Sequence, residues 1–450
     1  MNLENYRVSD RWSGLLQPPD HCPPSADVVI IGGGIVGVST AWFLARQGVS
    51  VTLCEKGFIA GEQSGRNWGW VRAQGRDPRE MPMMLESQRI WRSLAEDIGE
   101  DVGYTEGGCL YTADTQKEFA SLAIWRDIAI EYGLPTRMIS GADLIAQVGD
   151  AASRWVGGLY THTDGRAEPH KATPAIARAA IRAGATVLTS CAVRGLETAA
   201  GKVSALVTEH GTIRTSTVLC AAGAWSSLFC GSLGISLPQL KVRGTVARTA
   251  PAKSSIRANV YAKRIGIRPR QDGGYTVAHG TVLDHSITPN TFRYARKFLP
   301  ALKSEIGSLR VRIGKEFFEE LRMPKTWSLD SESPFEAMRV LSPEPNPKVI
   351  AKIKKNLAST YPELAGVEFV EAWSGMVETS PDVVPIICAD EKIPGFHIAT
   401  GFSGHGFGLG PGAGKSIAAM LTHSDDGVDL STFRLDRFFD GSPIRVFSGI

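Results

Sequence analysis

Three glycines near the start of the chain have the spacing of a dinucleotide-binding turn: Gly32, Gly34 and Gly37. The first glycine allows a tight turn, the second lets the backbone approach a pyrophosphate, and the third lets a helix pack closely on a strand. The helix that follows would present free N–H groups and partial positive charge to that pyrophosphate. Glu55, 18 positions after Gly37, can accept hydrogen bonds from the hydroxyls of an adenosine ribose. This spacing predicts a bound dinucleotide, either FAD or NAD.

The elements needed to position these residues are predicted on either side of the glycines. Residues 28–31 are apolar throughout, which favours a buried strand of a parallel sheet. An apolar-periodic helix runs to about Gln47, Gly48 ends it, and residues 49–54 form a second strand. FAD is favoured because the small and polar residues 64–69 suit a longer cofactor. A loose glycine match at 408–413 does not directly follow a strand, so no second nucleotide site is predicted.

Composition excludes several classes of protein. With 43% apolar and 21% charged residues, the 450-residue chain can bury a large core, so disorder is excluded as its main state. A net charge of +3 gives no basis for nucleic-acid binding. No apolar run is long enough to cross a membrane, and the chain does not start like a signal peptide. Seven cysteines without a C-x-x-C pair indicate buried thiols in a reducing, cytoplasmic compartment, and no metal site is expected.

The rest of the chain alternates between helical and strand-like patterns. Helices are predicted at 80–98, 115–133 and 168–183, and strand-like alternation runs from 241 to 283. Residues 293–312 are predicted as one basic amphipathic helix on the solvated surface. A last strand at 396–400 precedes a glycine-rich loop and a helix from about 412 to 422. Backbone N–H groups of residues 401–406 can therefore point at an electron-accepting ring and stabilise the charge that develops there.

Five motifs occur along the chain in a fixed order. They are the glycine turn at 32–37, the sequences at 64–67 and 218–225, the pair 373–375 and 380–382, and residues 401–406. Together they resemble the FAD-dependent amine and amino-acid oxidoreductases of the D-amino-acid oxidase superfamily, which includes monomeric sarcosine oxidase, glycine oxidase and gamma-glutamylputrescine oxidase. The resemblance extends from about residue 27 to residue 439.

The resemblance implies an α/β (α+β) fold, in which a Rossmann-like FAD-binding domain is interleaved with an antiparallel-sheet substrate domain. The implied FAD-binding segments are 1–85, 160–232 and 365–440, the substrate segments are 86–159 and 233–364, and 441–450 is a tail. The candidate cofactor-binding residues are Gly32, Gly34, Ile35, Val36, Gly37, Glu55, Lys56, Ser64, Arg66, Asn67, Val193, Ala222, Gly223, Trp225, Gly375, Gly404, His405 and Gly406. The candidate catalytic residues are His405, Arg72 and Trp373.

The chemistry that the resemblance implies is oxidation of a C–N bond. A hydride moves from the substrate carbon to flavin N5, and the resulting imine hydrolyses, while the protein binds, orients and desolvates the amine. Aromatic side chains are expected to form the walls, namely Trp68, Trp70, Trp373, Phe402 and Phe407. Electrons then leave to oxygen or to a respiratory carrier.

Three positions depart from the family pattern. Gly375 replaces the cysteine that anchors flavin covalently in sarcosine oxidase, so noncovalent FAD is predicted. Val377 stands where glycine oxidase and D-amino-acid oxidase have a carboxylate-binding arginine, and Gly408 stands where sarcosine oxidase has a lysine. These absences favour an amine without a carboxylate on the reacting carbon, as in gamma-glutamylputrescine oxidase.

Alternative functions stay open at this point. The protein could be a D-amino-acid or N-methyl-amino-acid oxidase or dehydrogenase whose carboxylate anchor has moved to Arg72, Arg268 or Arg270, since guanidinium binds carboxylate bidentately. Glu378 could instead meet a cationic amine. An NAD(P)H-dependent flavin reductase is disfavoured because a second nucleotide site is missing. The last alternative is an FAD-bound electron-relay subunit of a larger complex, because such a subunit can lose its substrate anchors.

Overall fold

Strands and helices alternate along the chain, and a computed structural model describes residues 22–281, 283–305 and 309–447. The strands are β1 (Val28–Ile31), β2 (Val51–Cys54), β3 (Trp70–Val71), β4 (Thr105–Glu106), β5 (Cys109–Ala113), β6 (Thr136–Ile139), β7 (Gly157–Thr161), β8 (Gly165–Arg166), β9 (Thr186–Leu188), β10 (Val193–Ala199), β11 (Lys202–Thr208), β12 (Gly211–Arg214), β13 (Thr217–Cys220), β14 (Leu240–Thr249), β15 (Asn259–Ala262), β16 (Ile265–Pro269), β17 (Tyr275–Ala278), β18 (Leu283–Ser286), β19 (Leu309–Arg312), β20 (Phe369–Thr379), β21 (Ile386–Ala389) and β22 (Phe396–Thr400). The helices are α1 (Ile35–Arg46), α2 (Gln63–Arg66), α3 (Met81–Ile98), α4 (Gln116–Glu131), α5 (Gly141–Val148), α6 (Pro169–Arg182), α7 (Ser226–Ser232), α8 (Pro289–Arg293), α9 (Ala295–Glu305), α10 (Lys315–Arg322), α11 (Pro334–Ala337), α12 (Pro347–Thr360) and α13 (Gly406–Thr422).

The predicted strand–turn–helix unit forms the centre of a six-stranded sheet ordered β21-β22-β13-β1-β2-β9. All strands except the edge strand β21 run parallel. Every residue of β1 and β2 is buried, as expected for strands covered on both faces. The helix α1 ends at Arg46, and Gly48 has a left-handed φ of +79°, which confirms its predicted role in ending the helix.

The last helix begins six residues earlier than the sequence predicts. The segment 406–411 was expected to be a glycine-rich loop, but it forms the first turns of α13. A Cβ on Gly410 would lie 2.7 Å from Ile35 Cγ2, and one on Gly414 would lie 2.5 Å from Ser39 Cβ. These glycines therefore allow α13 to pack closely on α1, which explains the loose glycine match at 408–413 without a second nucleotide site.

The second large sheet has the order β19-β18-β14-β17-β16-β15-β5-β7-β6, with β20 paired to β14. Most neighbouring strands are antiparallel, although β15 pairs with β5 and β18 pairs with β19 in parallel. The strand β20, which lies in the predicted FAD-binding segment 365–440, pairs with β14 over nearly its whole length. The boundaries of the two proposed domains stay predictions.

The prediction of one surface helix over 293–312 is wrong. The described residues form α8, α9 and then β19, in which Leu309 and Val311 alternate with arginines in the period of a strand. Phe298 in α9 is buried and, together with Leu302, lines the central cavity described below, so this segment is also part of a wall.

The described residues bear on the expectations about membrane-spanning helices and buried thiols. None of the described helices is long and apolar enough to cross a membrane. All seven cysteines are free thiols, and five are buried. Cys22 and Cys388 are only half-buried, so the prediction of burial is wrong for these two.

Candidate active site

A cavity of 770 Å³ lies between the carboxyl ends of the parallel strands and one face of the larger sheet. It is lined by every candidate cofactor-binding residue except Gly37, and by the candidate catalytic residues Arg72 and His405. Trp373 does not line it. Residues from five separate parts of the chain, around 32, 64, 222, 375 and 404, therefore meet at one site, as the order of motifs predicted.

The glycine turn forms one end of the cavity, called here the nucleotide end. Gly32 has φ +111°, and any side chain there would collide with the carbonyl of Ala221. Gly37 lies behind the turn, where a Cβ would collide with the carbonyl of Gly32. Its absence from the lining therefore agrees with the close strand–helix packing predicted for the third glycine.

Glu55 lies at the end of β2 beside this turn. Its carboxylate accepts hydrogen bonds from the backbone N–H groups of Gly33 and Gly57, each at 2.7 Å. Burial raises its pKa, although the charge of Lys56 and these two N–H donors oppose the rise. The donors fix the orientation of a carboxylate that retains lone pairs for ligand hydroxyl groups.

Lys56 is already engaged with other protein groups. Its Nζ donates to Glu62 Oε1 at 3.0 Å and to the carbonyls of Met338 and Arg339. The ammonium also lies 4.2 Å from the ring centroid of Trp225. Lys56 therefore joins β2 to the 338–339 loop, in addition to lining the cavity.

The side chains of the Ser-Gly-Arg-Asn sequence at 64–67 form hydrogen bonds with backbone groups of neighbouring segments. Ser64 Oγ accepts a hydrogen bond from Ile35 N at 2.9 Å, which satisfies an N–H in the first turn of α1. Arg66 donates to the carbonyls of Gly61 and Ser374, both at 3.0 Å. Asn67 Oδ1 accepts from Gly69 N at 2.7 Å. These contacts shape the segment that passes along the cavity.

The predicted catalytic role of Trp373 does not fit its position. Its indole Nε1 donates to the carbonyl of Arg66 at 2.8 Å, and the side chain is buried against Val246, Ala278 and Trp68. Trp373 therefore holds the Arg66 segment in place. The other four predicted wall aromatics, Trp68, Trp70, Phe402 and Phe407, all line the cavity.

The middle of the cavity suits a flat ring system. Gly244 in β14 is the direct partner of Gly375 in β20, both line the cavity, and a Cβ on Gly244 would meet nothing within 4 Å. The absence of two neighbouring side chains leaves a flat stretch of backbone against which a planar ring can stack. Gly404 and Gly406 line the same space at the N-terminus of α13, whose dipole favours negative charge. The residues present therefore fit a flavin dinucleotide.

Two arginines on one loop line the other end, called here the substrate end. The Arg72 guanidinium lies 5.8 Å from the Trp70 ring centroid and donates to the carbonyl of Gln74. Arg76 is 2% exposed, and its Nη1 is buried without a hydrogen-bond partner among the described residues. Burial and the charge of Arg72 lower the pKa of Arg76 to about 10, which still leaves it cationic at neutral pH.

The other two predicted carboxylate anchors are committed elsewhere. Arg268 is 1% exposed and binds Glu168 with both terminal nitrogens, at 2.9 and 3.1 Å. Arg270 lies 3.7 Å from the same carboxylate and also pairs with Asp272. Neither arginine lines the cavity, so the prediction that they could hold substrate is wrong.

Glu378 and His405 line the cavity, and the buried Glu80 lies directly behind His405. Glu378 is 3% exposed, accepts from Phe402 N at 3.3 Å, and has an Oε2 without a partner among the described residues. Burial raises its pKa to about 7. His405 pairs through Nδ1 with the buried carboxylate of Glu80, at 3.0 Å. Arg76 and Glu80 could not be predicted from the sequence, because neither lies in a recognised motif and the residues around them come from other segments.

Comparisons with known proteins agree with this geometry. Residues 27–420 match the family described as DAO, FAD dependent oxidoreductase. The chain is 24% identical to glycine oxidase of Geobacillus kaustophilus, over 91% of this chain and 97% of that protein. It is 25% identical to the mitochondrial sarcosine dehydrogenase of Mus musculus, covering 94% of this chain but 42% of that protein. A structure of L-amino acid deaminase from Proteus myxofaciens superposes with a TM-score of 0.91 and 35% identity, covering 94% and 96% of the two chains.

These matches confirm the predicted family resemblance, the mixed α/β fold and FAD as the cofactor. They also agree with the predicted enzyme class, an oxidoreductase for amines or amino acids. The chain belongs to the DAO family of FAD-dependent oxidoreductases.

Proposed function

We propose that the protein oxidises the C–N bond of an α-amino acid and that Arg72 and Arg76 hold the substrate carboxylate. The observation that carries this proposal is the unpartnered Nη1 of Arg76, buried beside a second guanidinium in the wall of the cavity. An unpaired buried donor is costly, and a carboxylate is the ligand that matches a guanidinium geometrically.

Neither nearby acidic residue, Asp164 or Glu80, forms a hydrogen bond with these guanidinium groups among the described residues. Asp164 already accepts from Ala73 N, Gln74 N and Gln88 Nε2, at 2.7 to 3.1 Å. Burial raises its pKa to about 6. Glu80 is occupied by His405. The loop 72–76 therefore presents guanidinium N–H donors that no described carboxylate occupies, and these donors favour a carboxylate on the ligand.

This proposal departs from the interpretation that the sequence favoured, an amine without a carboxylate on the reacting carbon. That interpretation rested on Val377 and Gly408, the two positions where relatives carry cations. The loop 72–76 lies outside those two positions, and its two guanidinium groups support a relocated anchor for the substrate carboxylate. The L configuration is supported by the 35% identity to a protein described as L-amino acid deaminase.

The cofactor residues proposed from the sequence divide along the cavity. We place the pyrophosphate of FAD at the glycine turn, its adenosine ribose at Glu55, and its ring along Gly244, Gly375 and residues 404–406. When bound, FAD supplies the acceptor for the hydride that leaves the substrate carbon. Trp68, Trp70 and Phe402 would surround the amine and exclude water from it.

The acceptor of electrons and the location stay proposals. We propose that electrons pass to oxygen or to a respiratory carrier, which is tested by the rate at which air reoxidises the reduced protein. A cytoplasmic location is supported by the seven free thiols.

The first experiment is anaerobic addition of L- and D-amino acids, N-methyl amino acids and the corresponding decarboxylated amines to the FAD-loaded protein. Bleaching of the oxidised flavin by L-amino acids is the expected result. In Arg76→Gln and Arg72→Gln the Kd for the amino acid should rise about 10- to 100-fold, the loss of about 1.5–3 kcal/mol per charged hydrogen bond. The Kd for the decarboxylated amine should stay the same.

A matched control is Arg92→Gln, which removes an exposed arginine paired only at the surface. Its Kd values should equal those of the wild type. Bleaching by simple amines but not by α-amino acids would contradict the proposed substrate. Bleaching by none of the compounds, with FAD bound, would favour the electron-relay subunit instead.

A further inference from the structure

A buried acid–imidazole pair lies where the substrate end meets the start of α13. His405 immediately precedes the helix and lines the cavity. Its Nδ1 lies 3.0 and 3.2 Å from the two carboxylate oxygens of Glu80, which is 0% exposed. The two residues are 325 positions apart, so the fold creates this pair rather than a local sequence motif.

The carboxylate determines which nitrogen of His405 carries the proton. An ionised carboxylate only accepts hydrogen bonds, so Nδ1 must be the donor, and in the neutral imidazole Nε2 is then an acceptor. Nε2 has no hydrogen-bond partner among the described residues, and the side chain keeps 20% exposure within the cavity wall. The ring therefore offers an unoccupied acceptor to whatever binds there.

Burial and the neighbouring arginines favour the neutral form of His405. Burial lowers its pKa, and the positive charges of Arg76 and Arg72 lower it further. Glu80 opposes this by its charge and its hydrogen bond. A neutral imidazole with a fixed carboxylate behind it has the arrangement of a general base, because the carboxylate stabilises the imidazolium after proton transfer.

We propose that His405, oriented by Glu80, accepts the proton that the substrate ammonium must lose before its C–N bond is oxidised. The N–H bond of the ammonium breaks, and the proton forms a new bond to Nε2. When bound, FAD would supply the acceptor for the hydride, with both electrons of the C–H bond, and the nitrogen lone pair of the neutral amine would form the C=N bond of an iminium. His405 returns the proton to water. This inference rests on the proposed oxidation of an amine but not on the carboxylate anchor.

Two other residues in the cavity wall, a histidine and a glutamate, have an unpartnered side-chain atom and could compete with His405 for the proton. His279 Nδ1 accepts from Thr281 N at 3.3 Å, so its Nε2 carries the hydrogen in the neutral ring and cannot accept a proton. Glu378 has a free Oε2, but its other oxygen accepts from the backbone N–H of Phe402, and no described charged group pairs with it as Glu80 pairs with His405. His405 is therefore the acceptor that the geometry favours, and Glu378→Gln tests its main competitor.

The test measures flavin reduction under anaerobic conditions as a function of pH, with whichever amine or amino acid bleaches the flavin. The rate for His405→Gln at pH 7 should fall by about 100-fold or more, the usual contribution of a general base. Its pH profile should then rise at the pKa of the substrate ammonium, because only amine that is already neutral can react. A substrate with a less basic amine should recover most of the lost rate.

Glu80→Gln gives a second, milder variant. Without the carboxylate, the pKa of His405 falls, so the lower limb of the pH profile should move to lower pH while the maximal rate decreases. Flavin absorbance and FAD content report whether each variant still folds. If His405→Gln does not fold, the shifted limb of Glu80→Gln and the nitrogen resonance described below still decide the question.

A spectroscopic measurement observes the proton directly. The protein is loaded with FAD and labelled with ¹⁵N-histidine, and the Nε2 resonance of His405 is identified as the one that Glu80→Gln shifts most. This resonance is expected to change from the unprotonated to the protonated position when 2-aminoisobutyrate binds. This amino acid has no hydrogen on its α-carbon, so it cannot be oxidised, and its binding is followed by flavin absorbance. An unchanged resonance with ligand bound would overturn the inference.

Other outcomes separate this inference from the proposed function. An unchanged pH profile in His405→Gln would overturn the role of His405 but not the proposed function. The same holds if the rate loss and the changed pH profile occur in Glu378→Gln instead. A uniform rate loss for all amines, together with a changed flavin potential, would assign His405 to the flavin edge instead. If no amine or amino acid bleaches the flavin, both the proposed function and this inference fail.

Discussion

Replacing Glu168 with glutamine should destabilise the protein without affecting its substrate preference. Glu168 lies directly before α6, and its carboxylate accepts from both terminal nitrogens of Arg268 in β16 and from Gln271 N at 3.0 Å. All these groups are away from the cavity. The substitution leaves the 1% exposed guanidinium of Arg268 without its counter-charge, and an uncompensated buried charge is strongly destabilising.

The size of the effect can be obtained in two ways. Removing one partner of a buried ion pair typically costs about 3–5 kcal/mol. Burial would raise the pKa of Glu168, but the charge and hydrogen bonds of Arg268 and the charge of Arg270 outweigh it and lower the pKa from 4.5 to about 2. Since one pKa unit corresponds to about 1.36 kcal/mol, ionised Glu168 contributes about 3 kcal/mol to the free energy of unfolding.

The same values determine the pH dependence. Because the folded pKa of Glu168 lies below its unfolded value, its contribution is complete above about pH 4.5 and is lost as the pH falls toward 2. With an unfolding entropy of about 2.1 cal/mol/K per residue, a 450-residue chain changes its Tm by about 1 °C for each kcal/mol. Glu168→Gln should therefore lower the Tm by about 3–5 °C at pH 7, and the difference from wild type should shrink at pH 3.

Thermal unfolding of the FAD-loaded proteins is the assay. Glu106→Gln is the matched control, since its ion pair with Arg92 is exposed and surface pairs contribute less than about 1 kcal/mol. Equal Tm values for wild type and Glu168→Gln at pH 7 would refute the argument. A higher Kd for amino acids in Glu168→Gln, at unchanged Tm, would support Arg268 as a carboxylate anchor.

Three further predictions concern the cofactor and the buried acid near the substrate end. Gly37→Ala should abolish FAD binding, because the new Cβ would collide with the Gly32 carbonyl. Flavin absorbance of the purified protein measures this loss. The control Gly231→Ala should retain FAD, since no atom lies near its Cβ and its φ is not left-handed. Acid precipitation should release all FAD into the supernatant, since Gly375 offers no thiol for attachment; flavin that remains with the pellet would contradict this. Above pH 7, Glu378→Gln should raise the free energy of unfolding by up to about 3 kcal/mol, and with it the Tm, because the folded pKa of about 7 lies above the unfolded value and burial of the charged form is unfavourable there. The gain should disappear below about pH 4.5, where both states are protonated, and a Tm difference that does not depend on pH would contradict the assignment.

The parts of the fold that could be predicted from sequence are those whose causes lie close together in the chain. β1, the glycine turn and α1 are contiguous, and each local preference supports the same structure. The start of α13 could not be predicted in this way. Gly406 to Gly414 has a low intrinsic helix preference, and it becomes helical because Gly410 and Gly414 pack against α1, a contact that the local pattern does not contain.

The same distinction separates the nucleotide end from the substrate end. The glycines and Glu55 could be predicted because their spacing alone is typical of residues beside one pyrophosphate and one ribose. Trp373 was selected from its motif, but its direction depends on the pairing of β20 with β14, which turns the indole toward the Arg66 carbonyl. A motif shows that a residue lies near a site, and the strand register decides which way its side chain points.

Two pairs of arginines show why the assignment of charge needed the tertiary structure. Arg268 and Arg270, like Arg72 and Arg76, are closely spaced basic residues, and composition cannot separate the two pairs. The first pair meets Glu168 from about 100 positions away, so its charge is satisfied within the protein. The second pair has acids nearby, but Asp164 is occupied by N–H donors and Glu80 by His405. Since no described carboxylate hydrogen-bonds Arg72 or Arg76, we propose that a ligand carboxylate pairs with them, and for an amine-oxidising flavoenzyme the carboxylate of an amino acid is the group that fits.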